Sequence, residues 1–273
     1  MKLALCIQTP EVPVTLPVAL LSGSLDEKLA KAARLGADGV ELMTVDPAKL
    51  DPTELRTQLH TYGLEAAAVA SGGLAFALGL TLLHIEPDKA ALAAQRLTDL
   101  IDFAAALGAS VVTIGSFRGR VATAGPEGAE RLRAELARQG AHAAERGVRL
   151  AIEPLNRYEG DVIRTAAEGL DFIERVGSPA VGLLLDTYHI NIEECSWTAP
   201  FRLALAAGRL WHVHLGDNNR LPPGQGLIDF AAIVGALRAG GYTGYLSAEL
   251  LPRPDPDQAA QNALTHMRPL LTR

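Results

Sequence analysis

The sequence predicts an α/β protein with a single (β/α)₈ TIM barrel that spans residues 1–273. Short apolar runs alternate eight times with longer amphipathic segments, a pattern typical of consecutive βα units. The runs are apolar on both faces, as are the strands of a buried parallel sheet. No GxGxxG motif follows the first run and no GxxxxGK motif occurs, so an open nucleotide-binding sheet is disfavoured.

The eight predicted strands follow one another along the chain, at residues 3–8, 38–43, 64–71, 110–116, 148–154, 180–186, 210–217 and 244–250. The segments between them are predicted helices. In residues 97–104, for example, the apolar side chains fall on one helical face. Gly36, Gly108 and Gly147 each separate a helical pattern from the next strand, because glycine readily takes the left-handed conformation that ends a helix. No Pro/Ser-rich linker or run of charge divides the chain, so we expect one domain.

The composition disfavours several classes of protein. Of the 273 residues, 48% are hydrophobic, which excludes disorder over most of the chain. The formal net charge of −6 is unfavourable for nucleic-acid binding. No apolar run has the length of a membrane span or of a secretory signal, and two cysteines, Cys6 and Cys195, do not make a disulfide framework. We therefore expect a cytoplasmic protein without membrane or nucleic-acid partners.

Ionisable residues stand at the ends of the last four predicted strands. In order they are Glu153, Asp186, His214 and Glu249, each separated from the next by one βα unit of roughly 30 residues. In a (β/α)₈ barrel these strand ends meet on the catalytic face. Three converging carboxylates repel one another unless a cation lies among them, and an oxygen-rich set with one imidazole suits Mn²⁺ or Mg²⁺, with Co²⁺ as an alternative. In the alternative interpretation, each acid pairs separately with a nearby Arg or Lys. That interpretation would account for a single acid more readily than for four ionisable groups at corresponding strand ends.

Other polar residues near these ends are further candidates. Arg220 lies in a Gly/Pro loop just after His214, where it could contact an oxyanion or a hydroxyl, or remain a solvated charge. His189 and Glu159 likewise follow shortly after Asp186 and Glu153, respectively.

Four more residues have ambiguous patterns. Arg118 and Arg120 follow the fourth strand and could bind phosphate or lie at the surface. His212 points to the same side of its strand as His214, because the two lie two positions apart along the strand. We expect His212 to lie one layer deeper, as a buried hydrogen-bonded histidine. Glu41, on the second strand, is a candidate for the top of the barrel.

Several segments of the second half carry a family resemblance. They are residues 153–159 (EPLNRYE), 185–194 (LDTYHINIEE), 214–220 (HLGDNNR), 223–226 (PGQG) and the strand end at Glu249. With them the chain resembles the xylose-isomerase-like TIM-barrel superfamily of sugar isomerases and epimerases, and most closely its ketose 3-epimerases, the D-tagatose/D-psicose 3-epimerase group. The resemblance implies three roles: metal ligands at Glu153, Asp186, His214 and Glu249; a catalytic acid/base pair at Glu153 and Glu249; and contacts to the carbonyl end of the sugar from Glu159, His189 and Arg220.

The resemblance implies a metal-dependent epimerase or isomerase that acts on a ketose. A divalent ion would stabilise the cis-enediolate that forms when the carbinol C–H bond breaks, and the two glutamates would move the proton between faces. Three alternatives stay open: an aldose–ketose or hydroxypyruvate-type isomerase, an inosose-type dehydratase, and a non-catalytic metal-dependent sugar-binding protein. A homodimer is expected from the resemblance alone.

The barrel also resembles endonuclease IV, a DNA nuclease with a cluster of three zinc ions. Ser71 and Ser116 stand where histidine ligands would be expected in that type of enzyme, and the loop at 224–227 lacks an Asp-x-His pair. Together with the net charge of −6, these differences disfavour nuclease activity.

Overall fold

The structure, a computed structural model, describes residues 1–272 and confirms the predicted (β/α)₈ barrel. Eight parallel strands are hydrogen-bonded in chain order and close into a ring. The strands are β1 (Lys2–Gln8), β2 (Gly39–Met43), β3 (Glu65–Ala70), β4 (Val111–Ile114), β5 (Arg149–Ile152), β6 (Val181–Asp186), β7 (Leu210–Leu215) and β8 (Tyr245–Ala248). Each overlaps one of the eight predicted strands.

Helices connect the strands. They are α1 (Leu25–Arg34), α2 (Pro52–Thr61), α3 (Gly72–Leu78), α4 (Pro87–Leu107), α5 (Val121–Ala124), α6 (Gly128–Glu145), α7 (Ala166–Val176), α8 (Thr187–Glu193), α9 (Ala199–Ala206), α10 (Phe230–Ala239) and α11 (Pro256–Leu271). α1 begins with a capping box between Ser24 and Glu27. α4 ends, as predicted, at Gly108, which has a φ of 89°. Within residues 1–272, no helix is both long enough and apolar enough to cross a membrane.

The register of the sheet brings the strand ends of the second half together. β6 and β7 pair so that Asp186 lies opposite His214, and β7 and β8 pair so that His214 lies opposite Ser247. Side chains two residues apart on a strand share a face. Glu249, which directly follows β8, is therefore expected on the same side as Ser247, next to His214.

The interior of the barrel is packed beneath these strand ends. A small buried cluster, separate from the larger hydrophobic core, consists of Ala68, Val111, Ala151 and Leu184. Ala151 and Leu184 lie two residues before Glu153 and Asp186, so they occupy the layer below those carboxylates. The layer below Glu153 and Asp186 is thus filled by apolar side chains.

Candidate active site

Four charged side chains meet at the carboxyl ends of the strands. Glu153 follows β5, Asp186 ends β6, His214 lies in β7 and Glu249 follows β8. One ligand atom from each lies within 4.8 Å of the corresponding atoms of the other three. His214 Nδ1 stands 3.6 Å from Glu153 Oε1 and 3.6 Å from Glu249 Oε2. The structure therefore brings together the four residues that the sequence predicts as a cluster.

Several atoms of this cluster are buried without a hydrogen bond. Glu153 Oε1, Asp186 Oδ2 and His214 Nδ1 have no partner among residues 1–272. Because buried polar atoms are nearly always paired, these converging lone pairs call for an electron-pair acceptor. A divalent cation fits the donor set, since carboxylate oxygens with one imidazole suit Mn²⁺, Mg²⁺ or Co²⁺.

Burial and neighbouring charges set the proton affinities of the three carboxylates. Burial raises the pKa of Asp186 to about 7, and the charges of Glu153 and Glu249 add to this rise against the opposing charge of Arg220. Burial also raises the pKa of Glu153, and the charge of Glu249 adds to it. For Glu249 the effect of burial is outweighed by His214 and Arg220, so its pKa lies below the ordinary value. The pKa values of the two glutamates are thus displaced in opposite directions.

Arg220 is directed into this cluster. Its Nη2 donates to Glu249 Oε2 at 2.9 Å, and its Nη1 donates to Glu159 Oε1 at 3.1 Å. The guanidinium carbon lies 4.7 Å from the ring centre of Tyr188, and only 16% of the Arg220 side chain is exposed. Arg220 is therefore not a solvated surface charge, and it links Glu159 to the cluster.

His189 turns one ring nitrogen into the cluster and the other away from it. Nδ1 accepts a hydrogen bond from Asn156 Nδ2 at 2.8 Å, and Asn156 is oriented because its Oδ1 accepts the Tyr158 N–H at 3.0 Å. In the neutral ring Nε2 therefore carries the proton. Nε2 lies 3.6 Å from Glu153 Oε1 and 3.9 Å from Asp186 Oδ2. Burial, with help from the charge of Arg220, lowers the pKa of His189 well below its usual value, so the ring is a neutral donor.

The loop that carries Arg220 folds around Asp217, a residue that sequence reasoning missed. The buried Asp217 carboxylate accepts backbone N–H groups from Asn218, Gly224, Gly226 and Ile228. A Cβ atom on Gly226 would overlap the Asp217 side chain, which explains a glycine at that position. One sequence signal could have identified Asp217: it comes just after a strand and is followed by Gly224 and Gly226. This pattern is typical of a loop that folds around a carboxylate.

Arg118 and Arg120, the two ambiguous arginines, have different surroundings. Arg118 is 1% exposed and donates to the backbone carbonyls of Gly115, Glu153, Val162 and Ile163. Both interpretations of Arg118, as a phosphate ligand or as a surface charge, are therefore wrong: converging carbonyl oxygens hold it inside the protein. Arg120 donates to the Tyr158 carbonyl in an exposed position, as expected of a surface residue.

His212 and Glu41 lie inside the barrel. His212 is buried, with its Nε2 2.7 Å from Glu41 Oε2, which confirms the prediction of a buried hydrogen-bonded histidine. Glu41 is fully buried, and its carboxylate also contacts His214. Sequence reasoning identified Glu41 as a candidate for the barrel top but missed this contact.

The pocket above the cluster has two unlike walls. On the side of β5–β8 it is lined by Glu153, Leu155, Glu159, His189, His214, Arg220 and Glu249. The segments of the first half contribute Val18, Met43, Ala70, Gly72, Phe76, Thr113, Gly115 and Ser116. Within the described chain, this second wall carries no charged side chain.

Known proteins share this fold and about a third of the aligned residues. A family model described as a xylose isomerase-like TIM barrel matches residues 29–270. An L-ribulose 3-epimerase of Methylomonas sp. (strain DH-1) is 34% identical over 249 residues, which cover 89% of this chain and 84% of that protein. An L-ribulose 3-epimerase of Mesorhizobium japonicum is 34% identical over 82% of this chain and 75% of its own length.

Solved structures agree with this assignment. The crystal structure of a D-allulose 3-epimerase from Methylomonas sp. in complex with D-allulose has a TM-score of 0.77 at 27% identity, and the match covers 98% of this chain and 97% of that one. These relatives confirm the resemblance to ketose 3-epimerases and the predicted enzyme class of sugar epimerase. The chain belongs to the xylose isomerase-like TIM barrel family, as a relative of its ketose 3-epimerases.

Proposed function

We propose that the chain is a metal-dependent ketose 3-epimerase in which Glu153 and Glu249 move the proton of the epimerised carbon. The observation that carries the proposal is the convergence of these two glutamates, from the ends of strands β5 and β8, on one set of unpaired ligand atoms. An epimerase needs two such groups, because the proton leaves one face of the carbon and another returns to the opposite face. The names of the relatives, L-ribulose and D-allulose 3-epimerases, support a ketose as substrate.

Glu153, Asp186, His214 and Glu249 would hold the divalent ion. When bound, the ion would supply Lewis acidity, stabilising negative charge on the substrate oxygens next to the reacting carbon. The donor set favours Mn²⁺, with Mg²⁺ and Co²⁺ as alternatives. No thiolate belongs to the set, which distinguishes it from a structural zinc site.

The proton transfer is assigned to the glutamates. One carboxylate accepts the C3 proton of the ketose, which leaves an enediolate, and the other carboxyl group returns a proton to the opposite face. The roles exchange when the reaction runs backwards.

Arg220, His189 and Glu159 are assigned to the carbonyl end of the sugar. Arg220 and the neutral His189 both direct N–H groups toward the cluster, where they can donate to oxygens on which charge develops. Glu159 holds Arg220 through the 3.1 Å ion pair and offers an acceptor for a sugar hydroxyl.

The test is to incubate the Mn²⁺-loaded protein with a panel of free ketopentoses and ketohexoses and to identify the products by chromatography and NMR. We expect the C3 epimer of the ketose supplied and, in D₂O, deuterium at C3 of the product. An aldose product would indicate an isomerase, loss of water a dehydratase, and binding without conversion a sugar-binding protein. Treatment with a chelator should stop the conversion, and added Mn²⁺ should restore it.

A cytoplasmic homodimer belongs to the same proposal. The dimer follows from the family resemblance, and the two free cysteines, Cys6 and Cys195, fit a reducing compartment. Size-exclusion chromatography with light scattering should give about twice the chain mass of 28.8 kDa. A monomer at micromolar concentration would contradict the proposed dimer.

A further inference from the structure

A network of buried polar side chains lies beside the metal-binding cluster, inside the barrel. Glu41, on β2, is its centre. Thr113 Oγ1 donates to Glu41 Oε1 at 3.2 Å, and His212 Nε2 lies 2.7 Å from Glu41 Oε2 and 3.0 Å from Ser247 Oγ. His214 Nε2 lies 3.1 Å from Oε1 and 3.2 Å from Oε2 of Glu41. Two histidines and one hydroxyl thus surround a single carboxylate.

Glu41 has the surroundings of a hydrogen-bond acceptor. Its ion-pair partners within residues 1–272 are His212 and His214, with no lysine or arginine among them. Three donor groups are directed at its two oxygens, which an ionised carboxylate can satisfy because it only accepts hydrogen bonds. A buried carboxylate without a permanent cation is costly, so its place next to a proposed metal ligand needs a reason.

The two ring nitrogens of His214 face different neighbours. Nε2 faces Glu41 and must donate to it, so Nε2 carries a proton. Nδ1 faces Glu153 Oε1 and Glu249 Oε2, each at 3.6 Å, without a hydrogen-bond partner among residues 1–272. A histidine binds a metal through an unprotonated nitrogen, and a carboxylate behind the ring decides which nitrogen that is.

We propose that Glu41 is a positioning residue: it holds the Nε2 proton of His214 and so keeps the Nδ1 lone pair turned toward Glu153 and Glu249. This inference rests on the proposed metal site and names a residue that supports it. Glu41 does not line the pocket, so it acts through His214 and not on the sugar. His212 and Thr113 act one step further away, because their hydrogen bonds hold the Glu41 carboxylate in place.

A second cation site is the competing interpretation of this network. Cys6, Glu41 and His214 each offer one ligand atom within 4.8 Å of the others. A cation there would compete for the same Glu41 and His214 atoms that now lie at hydrogen-bond distance. The number of bound ions therefore separates the two interpretations.

The test measures Mn²⁺ binding by calorimetry, without sugar, in the wild type, Glu41→Gln and Cys6→Ala. We expect one ion per wild-type chain and about 10- to 100-fold weaker binding in Glu41→Gln, because the amide can turn its NH₂ group toward Nε2 and favour the wrong tautomer. Cys6→Ala, the matched control, changes a residue beside Glu41 and His214 that is outside the hydrogen-bond network, and it should bind Mn²⁺ as the wild type does. A role in folding alone would lower the Tm of metal-free Glu41→Gln without changing its Mn²⁺ affinity.

The outcomes separate this inference from the proposed function. Equal Mn²⁺ affinity in the wild type and in folded Glu41→Gln overturns the inference and leaves the metal site in place. A second ion that is lost in Cys6→Ala also overturns it. A wild-type protein that binds no divalent ion overturns the proposed metal site itself, and the inference with it.

If Glu41→Gln does not fold, the protonation of the His214 ring nitrogens in the wild-type protein tests the same proposal. Long-range ¹H–¹⁵N NMR spectra of ¹⁵N-histidine-labelled, Mg²⁺-loaded protein distinguish protonated from unprotonated ring nitrogens. The chain has seven histidines, and a His214→Asn variant identifies the signals of His214. We expect a proton on Nε2 and none on Nδ1, whereas a proton on Nδ1 overturns the inference.

Discussion

The two halves of the barrel end their strands differently. β5–β8 lead to a cluster of charged groups, three of them buried and the last, Glu249, partly exposed: Glu153, Asp186, His214 and Glu249. The segments that follow β1–β4 present a wall without charge, with Val18, Met43, Ala70 and Phe76 as its apolar members. The first set has the groups to bind a cation or move a proton, whereas the second, without a charged side chain, offers apolar surface and hydroxyl groups to a sugar. The comparison teaches that one fold can separate reaction chemistry from substrate selection. Mutations in the charged half should therefore affect turnover, and mutations in the uncharged half should affect substrate preference.

The largest effect is expected from the glutamates of the second half. Glu153→Gln and Glu249→Gln should each lower kcat by about 10²- to 10⁴-fold, because an amide neither accepts nor returns the proton. Met43→Leu, a volume-conserving change on the opposite wall, should leave kcat nearly unchanged. Steady-state kinetics with the preferred ketose measure the contrast.

Metal content must be measured alongside, because both glutamates are also proposed ligands. A variant that retains one working base should still exchange deuterium into unreacted ketose. A fully Mn²⁺-loaded Glu249→Gln protein that epimerises at the wild-type rate would contradict the two-glutamate mechanism.

A smaller but still large effect is expected at Arg220. Arg220→Ala should lower kcat/KM by about 100-fold through loss of a donor to developing charge, while the Mn²⁺ content stays near that of the wild type. Arg120→Ala is the matched control, because among residues 1–272 the Arg120 side chain donates to one exposed backbone carbonyl outside the cluster. If the two variants have the same kcat/KM, Arg220 takes no part in catalysis.

A pH dependence should come from the charged half alone. Burial raises the pKa of Asp186 to about 7, and a carboxylate must lose its proton to bind a metal. Below pH 7 the ion therefore competes with a proton, so Mn²⁺ affinity should fall with decreasing pH, by up to about tenfold per unit. Calorimetry at pH 8, 7 and 6 measures this fall. Constant affinity over that range would argue against Asp186 as a ligand.

The smallest effect is expected on the uncharged wall. Phe76→Ala should leave kcat and Tm close to those of the wild type, because the Phe76 side chain is 56% exposed and takes no part in proton transfer. It should change KM by less than about tenfold and shift the preference between ketoses, since apolar contacts of this size discriminate weakly. A large loss of kcat in Phe76→Ala would remove the proposed division between the two halves.

Sequence reasoning reached the strands and the charged cluster because both depend on local patterns. Glu153 and Asp186 stand out as ionisable residues at the ends of apolar strands, and the spacing of one βα unit is enough to place them side by side in a ring. Glu41 also lies on an apolar strand, but its contact with His214 depends on the register of the closed sheet. His214, which it contacts, lies 173 residues further along the chain.

Arg118 and Asp217 were beyond sequence reasoning for another physical reason. Their partners are backbone carbonyl and N–H groups, whose directions depend on loop conformation and not on residue type. The residues next to Arg118 in the sequence give no indication that four carbonyl oxygens, those of Gly115, Glu153, Val162 and Ile163, will converge on it. The glycines behind Asp217 were the only local sign of its loop.

The contact between Glu41 and His214 also bears on how the chain folds. β1 closes the ring by pairing with β2 on one side and with β8 on the other, and the Glu41–His214 contact spans that seam from β2 to β7. Contacts so distant along the chain form late, because their loop-closure entropy must be overcome first. The proposed metal-binding histidine therefore receives its orienting carboxylate only when the first and last strands meet. In refolding, recovery of Mn²⁺ binding should follow helix formation and coincide with ring closure, which makes metal uptake a natural reporter of the last folding step.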